Sequence, residues 1–391
     1  MIERSGEDLL LHYAIADVAW FVDDGDAIDT EAWKRGTTLY LPDGKAGLYP
    51  PILSEKAASL LPDGPRPAII FAVRVGQDGN VRLDAAERSL IRSSAKLAYD
   101  SVRDGDLPAD FAELSRRIQR AEDRRGAARV DPPEQEVVAR GESHYQLLFR
   151  PRLVSEDRNA ALSLAANLAI ADALLAHQTG LFRVMAGPDG HDVERLRYTA
   201  KALGLSWPAN ATLAQFERKL QSGDPKQAAF MLAVRRANNG ASYTPYRKGI
   251  VPWHAAMGAT YAHATAPLRR LADRYVIRAT LAIANGHPVE DAVTEAFAKL
   301  PRIMARAGNL DGQVERAVVD LAEAIMLEDD VGRIFPAVVT DLDQRGVRIQ
   351  LRDLPVVARV DARNVAPGAA LDVRLESAVP GQRSVTFQRV S

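Results

Sequence analysis

The chain has 391 residues, 47% hydrophobic and 26% charged, an ordinary globular composition with room for two or more domains and a substantial core. The absence of cysteine excludes disulfides, thiolate metal sites and cysteine nucleophiles, and it favours a reducing compartment, the cytoplasm. No apolar segment follows a basic start, and no stretch offers about 18 uninterrupted apolar residues, so neither export nor membrane insertion is expected. The net charge of −1 is unevenly spread: between Arg235 and Arg278 eight Arg and Lys residues face the single acid Asp273, a local net of +7. Such asymmetry suits a localised polyanion site in an otherwise acidic protein.

In chain order, Leu9 to Val22 is a run of apolar, aromatic and β-branched residues, which predicts a buried strand. A helix follows at Ile28 to Thr37. The carboxylates Asp23, Asp24, Asp26 and Asp29 read as its caps and dipole partners. Their spacing fits no EF-hand loop, so they are rejected as a metal site. Asp17, on the buried strand, is the better active-site carboxylate. Ala68 to Val75 and Val81 to Leu90, with a turn containing Gly79 between them, predict a hairpin. Ala95 to Gly126 turns helical and charged, Val130 to Glu134 is a break, and Tyr145 to Phe149 is a strand.

The chain then becomes largely helical. Ala160 to Ala176 is its most apolar run, interrupted by Ser163, Asn167 and Asp172. Leu164, Leu168, Ala171 and Leu175 recur at the spacing of a core-facing stripe, and Val314, Val318, Leu321 and Ile325 repeat it. Gly332 is placed to end the second helix. Beyond it come five short alternating runs: Phe335 to Val339, Val347 to Leu351, Val356 to Val360, Leu371 to Leu375 and Ser384 to Val390. That pattern predicts a small OB-like barrel, a fold that commonly binds single-stranded nucleic acid.

Thr260 to Arg278 is the most informative segment. Thr265 as N-cap and Pro267 in the first turn predict a helix, with Leu268, Leu271 and Tyr275 on its buried side. Arg270, Arg274 and Arg278 then form a row of like charges, which destabilises an isolated helix. Something anionic must answer them, either neighbouring carboxylates or a polyanion. Tyr243, Tyr246, Trp253, Tyr261 and Tyr275 interleave with the cations, which favours single-stranded nucleic acid because bases stack on aromatic rings.

The stretch Tyr261-Ala262-His263-Ala264-Thr265-Ala266-Pro267-Leu268-Arg269-Arg270, with Ala272-Asp273, resembles the YAHxTSPIRRYxD signature of the ribonuclease II/R family, with Ala266 for Ser and Leu268 for Ile. Further pieces follow in the family's order: His12 to Val18, Arg35 to Pro42, Leu53-Ser54 and Lys96 to Tyr99. The resemblance implies an α+β fold in which residues 1–332 form an RNB catalytic core, a mixed β-sheet packed with many helices, and residues 333–391 an OB/S1-like barrel. It also implies a 3′→5′ exoribonuclease that hydrolyses single-stranded RNA to 5′-monophosphates with Mg²⁺, without a membrane or an obligate protein partner.

Carried over by position, Arg269 is the phosphate-contacting arginine, Tyr99 stacks near the RNA 3′ end, Tyr40 contacts RNA, and Glu315 is a late glutamate near the site. With Arg269, Glu315 and Asp17 as catalytic candidates, His263, Arg270 and Arg274 join the tyrosines as RNA-binding candidates. Two departures stand out. The family's acidic cluster, which holds two Mg²⁺ ions, precedes the strand at His12, and Met1 falls just after its place, so a start assigned downstream of the true one is expected. These residues then bind RNA but hardly cut it. The alternative is a non-catalytic RNA-binding member. Ala160-Ala161 stands where many relatives have Glu-Glu, the mark of a divergent bacterial branch.

Overall fold

The computed structural model describes residues 1–127, 134–139, 145–150, 153–221, 224–237, 240–343 and 346–390. The break expected around residues 130–133 lies outside them. The chain opens on a hairpin of β1 (Ile2–Ser5) and β2 (Asp8–Ala16). Leu9, Leu11 and Ile15 point inward, as strand alternation requires. The strand stops at Ala16, short of Val22: Asp17 turns its carboxylate onto Arg88 Nε at 2.8 Å, and a tight turn follows at Val18–Trp20.

Helix α1 (Ala27–Arg35) starts at Asp26, whose Oδ1 accepts the Asp29 N–H at 2.6 Å, and ends at Gly36, with φ 73°. A ribbon of β3 (Leu39–Leu41) and β4 (Gly44–Ala46) follows. The expected hairpin is present as β5 (Arg66–Val75) and β6 (Val81–Ile91), completing an antiparallel sheet of order β1-β2-β5-β6. Its turn demands glycine, because a Cβ on Gly79, at φ 74°, would stand 2.1 Å from the Arg117 carbonyl oxygen. That carbonyl belongs to α2 (Phe111–Arg125). The helix expected from Ala95 begins only there, because the turn Asp104–Asp106 and Pro108 interrupt the backbone ahead of it.

The ribbon β7 (Glu134–Ala139) and β8 (Tyr145–Arg150) leads to the central helix α3 (Val154–Ala176). Leu164, Leu168 and Ala171 are buried there as anticipated. A second sheet was not anticipated. It is built from β9 (Leu181–Met185), β10 (Ala241–Pro245), β11 (Trp253–His254) and β12 (Ala259–Thr260), in the order β10-β9-β11-β12. Between β9 and β10, α4 (Gly190–Ala202), α5 (Leu213–Glu217) and α6 (Pro225–Ala237) enclose a small core of their own, where Trp207 stacks on Phe216.

Helix α7 (Leu271–Ala284) begins six positions later than Thr265, because Arg270 is extended and bridges to Thr37. Helix α8 (Asp291–Leu327) runs on to the C-terminal barrel, and Gly332, at φ 90°, follows its last turn. The five expected barrel strands are present: β13 (Ile334–Asp343), β14 (Gly346–Leu351), β15 (Val357–Val360), β16 (Ala370–Val379) and β17 (Ser384–Arg389). They are ordered β15-β14-β13-β16-β17, and β15 lies close to β17, so the barrel is nearly closed.

The stripe expected to face the core from α8 does not do so. Leu321 is 38% and Ile325 58% exposed, whereas Glu323, Ala324 and Leu327 are buried. The barrel fixes this rotation: Leu327 enters its core, and Glu323 Oε1 accepts the Val357 N–H at 3.0 Å and Gln135 Nε2 at 2.7 Å. Burial pushes the Glu323 carboxyl up to about 7 from its ordinary 4.5. The folded protein therefore keeps a proton that the unfolded chain loses. This contribution to stability is whole below pH 4.5 and disappears as pH rises through 7. Glu323→Gln, which keeps the accepting oxygen, is expected to raise the unfolding temperature by a few degrees at pH 8 and to leave it nearly unchanged at pH 4.5. Thermal scans at the two pH values check this.

Candidate functional site

The segment from Tyr261 to Arg270 is irregular backbone, and such a loop is rigid only where its polar groups are tied down. Three anchors do this, the first two buried. Asn167, 2% exposed on α3, accepts the Ala264 N–H through Oδ1 at 3.0 Å and donates to the Tyr261 hydroxyl at 3.1 Å. Asp273, fully buried at the start of α7, accepts the Ala266 N–H at 2.8 Å and grips Arg270 through two bonds, at 2.8 and 2.7 Å. The Arg269 carbonyl accepts the Thr38 N–H at 3.0 Å and the Thr37 hydroxyl at 2.8 Å. Gly36, just ahead of these threonines, packs against α8, where a Cβ would lie 2.9 Å from Ala307.

With its backbone fixed, Arg269 turns its side chain outward. It lies on the wall of a cavity of about 290 Å³ between this loop, the end of β2 and the β3–β4 ribbon. Tyr40, Lys45, Ser54, Thr38 and Thr265 also line it, and among the described residues no carboxylate does. Lys45 pairs with Glu55 at 3.0 Å, whereas the Arg269 guanidinium has no carboxylate partner among the described residues.

The other expected site residues divide. Tyr40 is 61% exposed at the cavity, and Tyr99 is 50% exposed, its hydroxyl accepting from Asn159 Nδ2 at 2.9 Å. Tyr13 on β2 has its hydroxyl pushed up to about 12, first by burial and then by Tyr99 and Tyr261. Glu315 is exposed on α8 and does not line the cavity. Asp17 is 3% exposed, paired with Arg88, and faces a much smaller crevice against α7.

Three expected RNA contacts are otherwise engaged. Arg270 is held by Asp273. Arg274 is 2% exposed and donates to Asp29 at 2.7 Å, Val22 O at 2.8 Å and Asp24 at 3.0 Å, which leaves it no face for a ligand. Arg278 pairs with Asp24 and Glu290. The row of arginines is thus answered by the protein's own carboxylates, with the Asp23-to-Asp29 turn supplying two of them. His263 Nδ1 and the Tyr243 hydroxyl share a hydrogen bond of 2.7 Å, and burial together with Arg270 and Arg183 holds the imidazole well below the usual range, hence neutral.

Among the described residues, one group of metal-ligating side chains comes together, Asp189, His191 and Asp192, within 4.8 Å of one another at the exposed start of α4. Asp189 already caps the Asp192 N–H at 2.8 Å, and Asp192 pairs with Arg195. That group lines no part of the cavity.

Residues 1–286 match the model of the RNB domain, and residues 333–390 that of the RNase II-type exonuclease C-terminal S1 domain. Ribonuclease R of Aquifex aeolicus is 26% identical over 368 residues, 88% of this chain and 51% of that protein. Exoribonuclease 2 of Yersinia enterocolitica is 29% identical over 390 residues, 92% of this chain and 59% of that protein. The chain therefore spans a little over half the length of these curated relatives. In fold it is similar to Mycoplasma genitalium RNase R, solved in complex with ribose-methylated single-stranded RNA, with a TM-score of 0.87 at 20% identity over 100% of this chain and 68% of that one. Yeast Ssd1, a pseudonuclease, shares the fold with a TM-score of 0.70 at 16% identity, over 96% of this chain and 48% of that one. With an RNB-domain match over most of its length and an S1-domain match behind it, the chain belongs to the ribonuclease II/R family.

Proposed function

We propose that this chain is the RNA-holding core of a 3′→5′ exoribonuclease acting on single-stranded RNA, with Arg269 gripping a phosphate at the cavity and Tyr99 and Tyr40 stacking bases. One observation carries the reading. Of the four arginines Arg269, Arg270, Arg274 and Arg278, Arg269 alone projects from a tied-down loop into a cavity without a carboxylate partner. A planar, permanently charged fork suits a phosphate there. The family's chemistry calls for Mg²⁺, which when bound supplies an activated water and stabilises the leaving oxygen. Among the described residues the cavity lining contains no carboxylate to hold it, so what these residues do by themselves is bind and orient RNA.

The purified chain, given a labelled single strand and Mg²⁺, is expected to retain the strand and release negligible mononucleotide. Robust release would overturn this. A second reading, a non-catalytic RNA-binding member, is favoured by the same lack of a carboxylate among the described lining residues. If the genomic frame continues upstream, the extended chain separates the two. Mononucleotide release supports the enzyme, and a folded, RNA-binding but inert protein supports the binding module.

A further inference from the structure

We propose that the projecting tip from Arg247 to Trp253 is a second contact for single-stranded RNA, outside the cavity, with Trp253 as a stacking platform and Arg247 and Lys248 as phosphate contacts. The proposal rests on the RNA reading above. The tip is built by a tight turn in which the Ile250 N–H donates to the Arg247 carbonyl at 3.1 Å, with Gly249 at φ 79°. It holds Arg247 and Lys248 in solvent, with no carboxylate partner for either among the described residues.

Alternation then sorts the next residues. Pro252 and His254 turn inward, while Val251 and Trp253 turn outward, 64% and 52% exposed beside Ile250 at 59%. Exposed apolar residues are ordinary when scattered singly, but a contiguous patch rimmed by cations marks an interaction surface. No Asp or Glu occurs from Lys226 to Ala272, so the segment carrying the tip is uniformly cationic. Trp253 pairs across β11 and β12 with Thr260, the residue before Tyr261, so the tip is continuous with the loop that presents Arg269. An exposed indole beside exposed cations is the chemistry that takes stacked bases and phosphates. An anionic lipid surface would suit the same composition, but the strand connection to Arg269 favours RNA.

The test uses the full chain and fluorescein-labelled single-stranded RNA of two lengths, one short enough to fill only the cavity and one longer, without divalent ions. Trp253→Ala is expected to weaken binding of the long strand about ten-fold and to spare the short one, whereas Trp253→Phe retains most of the affinity. Arg247→Gln with Lys248→Gln is expected to reduce the slope of log affinity against log salt by ~1.4 for the long strand. Unchanged thermal unfolding of each variant ties the loss to the tip. If the wild-type chain binds the long strand and Trp253→Ala binds it equally well, the proposal falls and the RNA reading stands. If the wild-type chain binds neither strand, the RNA reading itself fails and the proposal with it. Capture of phosphatidylserine vesicles that depends on Trp253, with RNA affinity indifferent to that residue, also overturns it.

Discussion

Arg274→Met is expected to lower the free energy of unfolding by about 3–5 kcal/mol, the cost of leaving a buried charge without its partner. Arg274 is 2% exposed and satisfies Asp29, itself 5% exposed, as well as Asp24. Methionine matches much of the volume but strands the buried Asp29, whereas Asp24 keeps Arg278, so the loss arises from Asp29 and not from a cavity. Asp29→Ala should also be costly, though less so, because the buried guanidinium loses its shortest carboxylate contact and keeps only Asp24 and the Val22 carbonyl. Urea unfolding of the two single variants and the double variant measures this, and the double variant should be less destabilised than the sum of the singles. For whatever fraction remains folded, the salt dependence of RNA binding should match that of the wild-type chain. A variant that unfolds normally but loses RNA affinity would show that Arg274 serves a ligand.

Two adjacent arginines should behave in opposite ways. Arg269→Ala is expected to cost about 10- to 100-fold in affinity for a short single strand, the worth of a charge-assisted hydrogen bond, while leaving stability alone. The loop uses only the backbone of Arg269, and its side chain is exposed. Arg269→Lys keeps the charge but loses the fork, so it should fall between. Arg270→Gln, by contrast, leaves the fully buried Asp273 uncompensated and should act on unfolding first. Fluorescence anisotropy and urea unfolding on the same three proteins give both axes. Full affinity in a folded Arg269→Ala protein would remove the residue that the functional reading depends on.

The elements legible in the sequence were those whose periodicity is local. The hairpin β5–β6, the core stripe of α3 and the five barrel strands each follow from a repeat of two or of three to four residues. What local pattern could not show was which partner a charged residue would meet. The arginine row was visible, but its pairing with a turn some 250 residues earlier depends on α1 packing beside α7. The same limit hid the rotation of α8: spacing alone offered Leu321 and Ile325, and the barrel selected Glu323, Ala324 and Leu327 instead. Strands β9 to β12 are two to five residues long, too short to leave a repeat. Arg269 was legible through its resemblance. Asn167 was visible only as a polar interruption in an apolar helix, and Asp273 only as the lone acid in a basic segment.

The junction of α8 with the barrel bears on how the protein is made. A ribosome delivers α8 before any barrel strand, yet the burial of Leu327 and the Val357 hydrogen bond to Glu323 need β15 and its neighbours. During synthesis the last turns of α8 therefore wait, with an apolar side chain bare and a carboxylate short of a partner, until some sixty further residues emerge. A transcript cut short within the barrel would leave that end bare for good, a mark by which proteases and chaperones could tell an unfinished chain from a completed one.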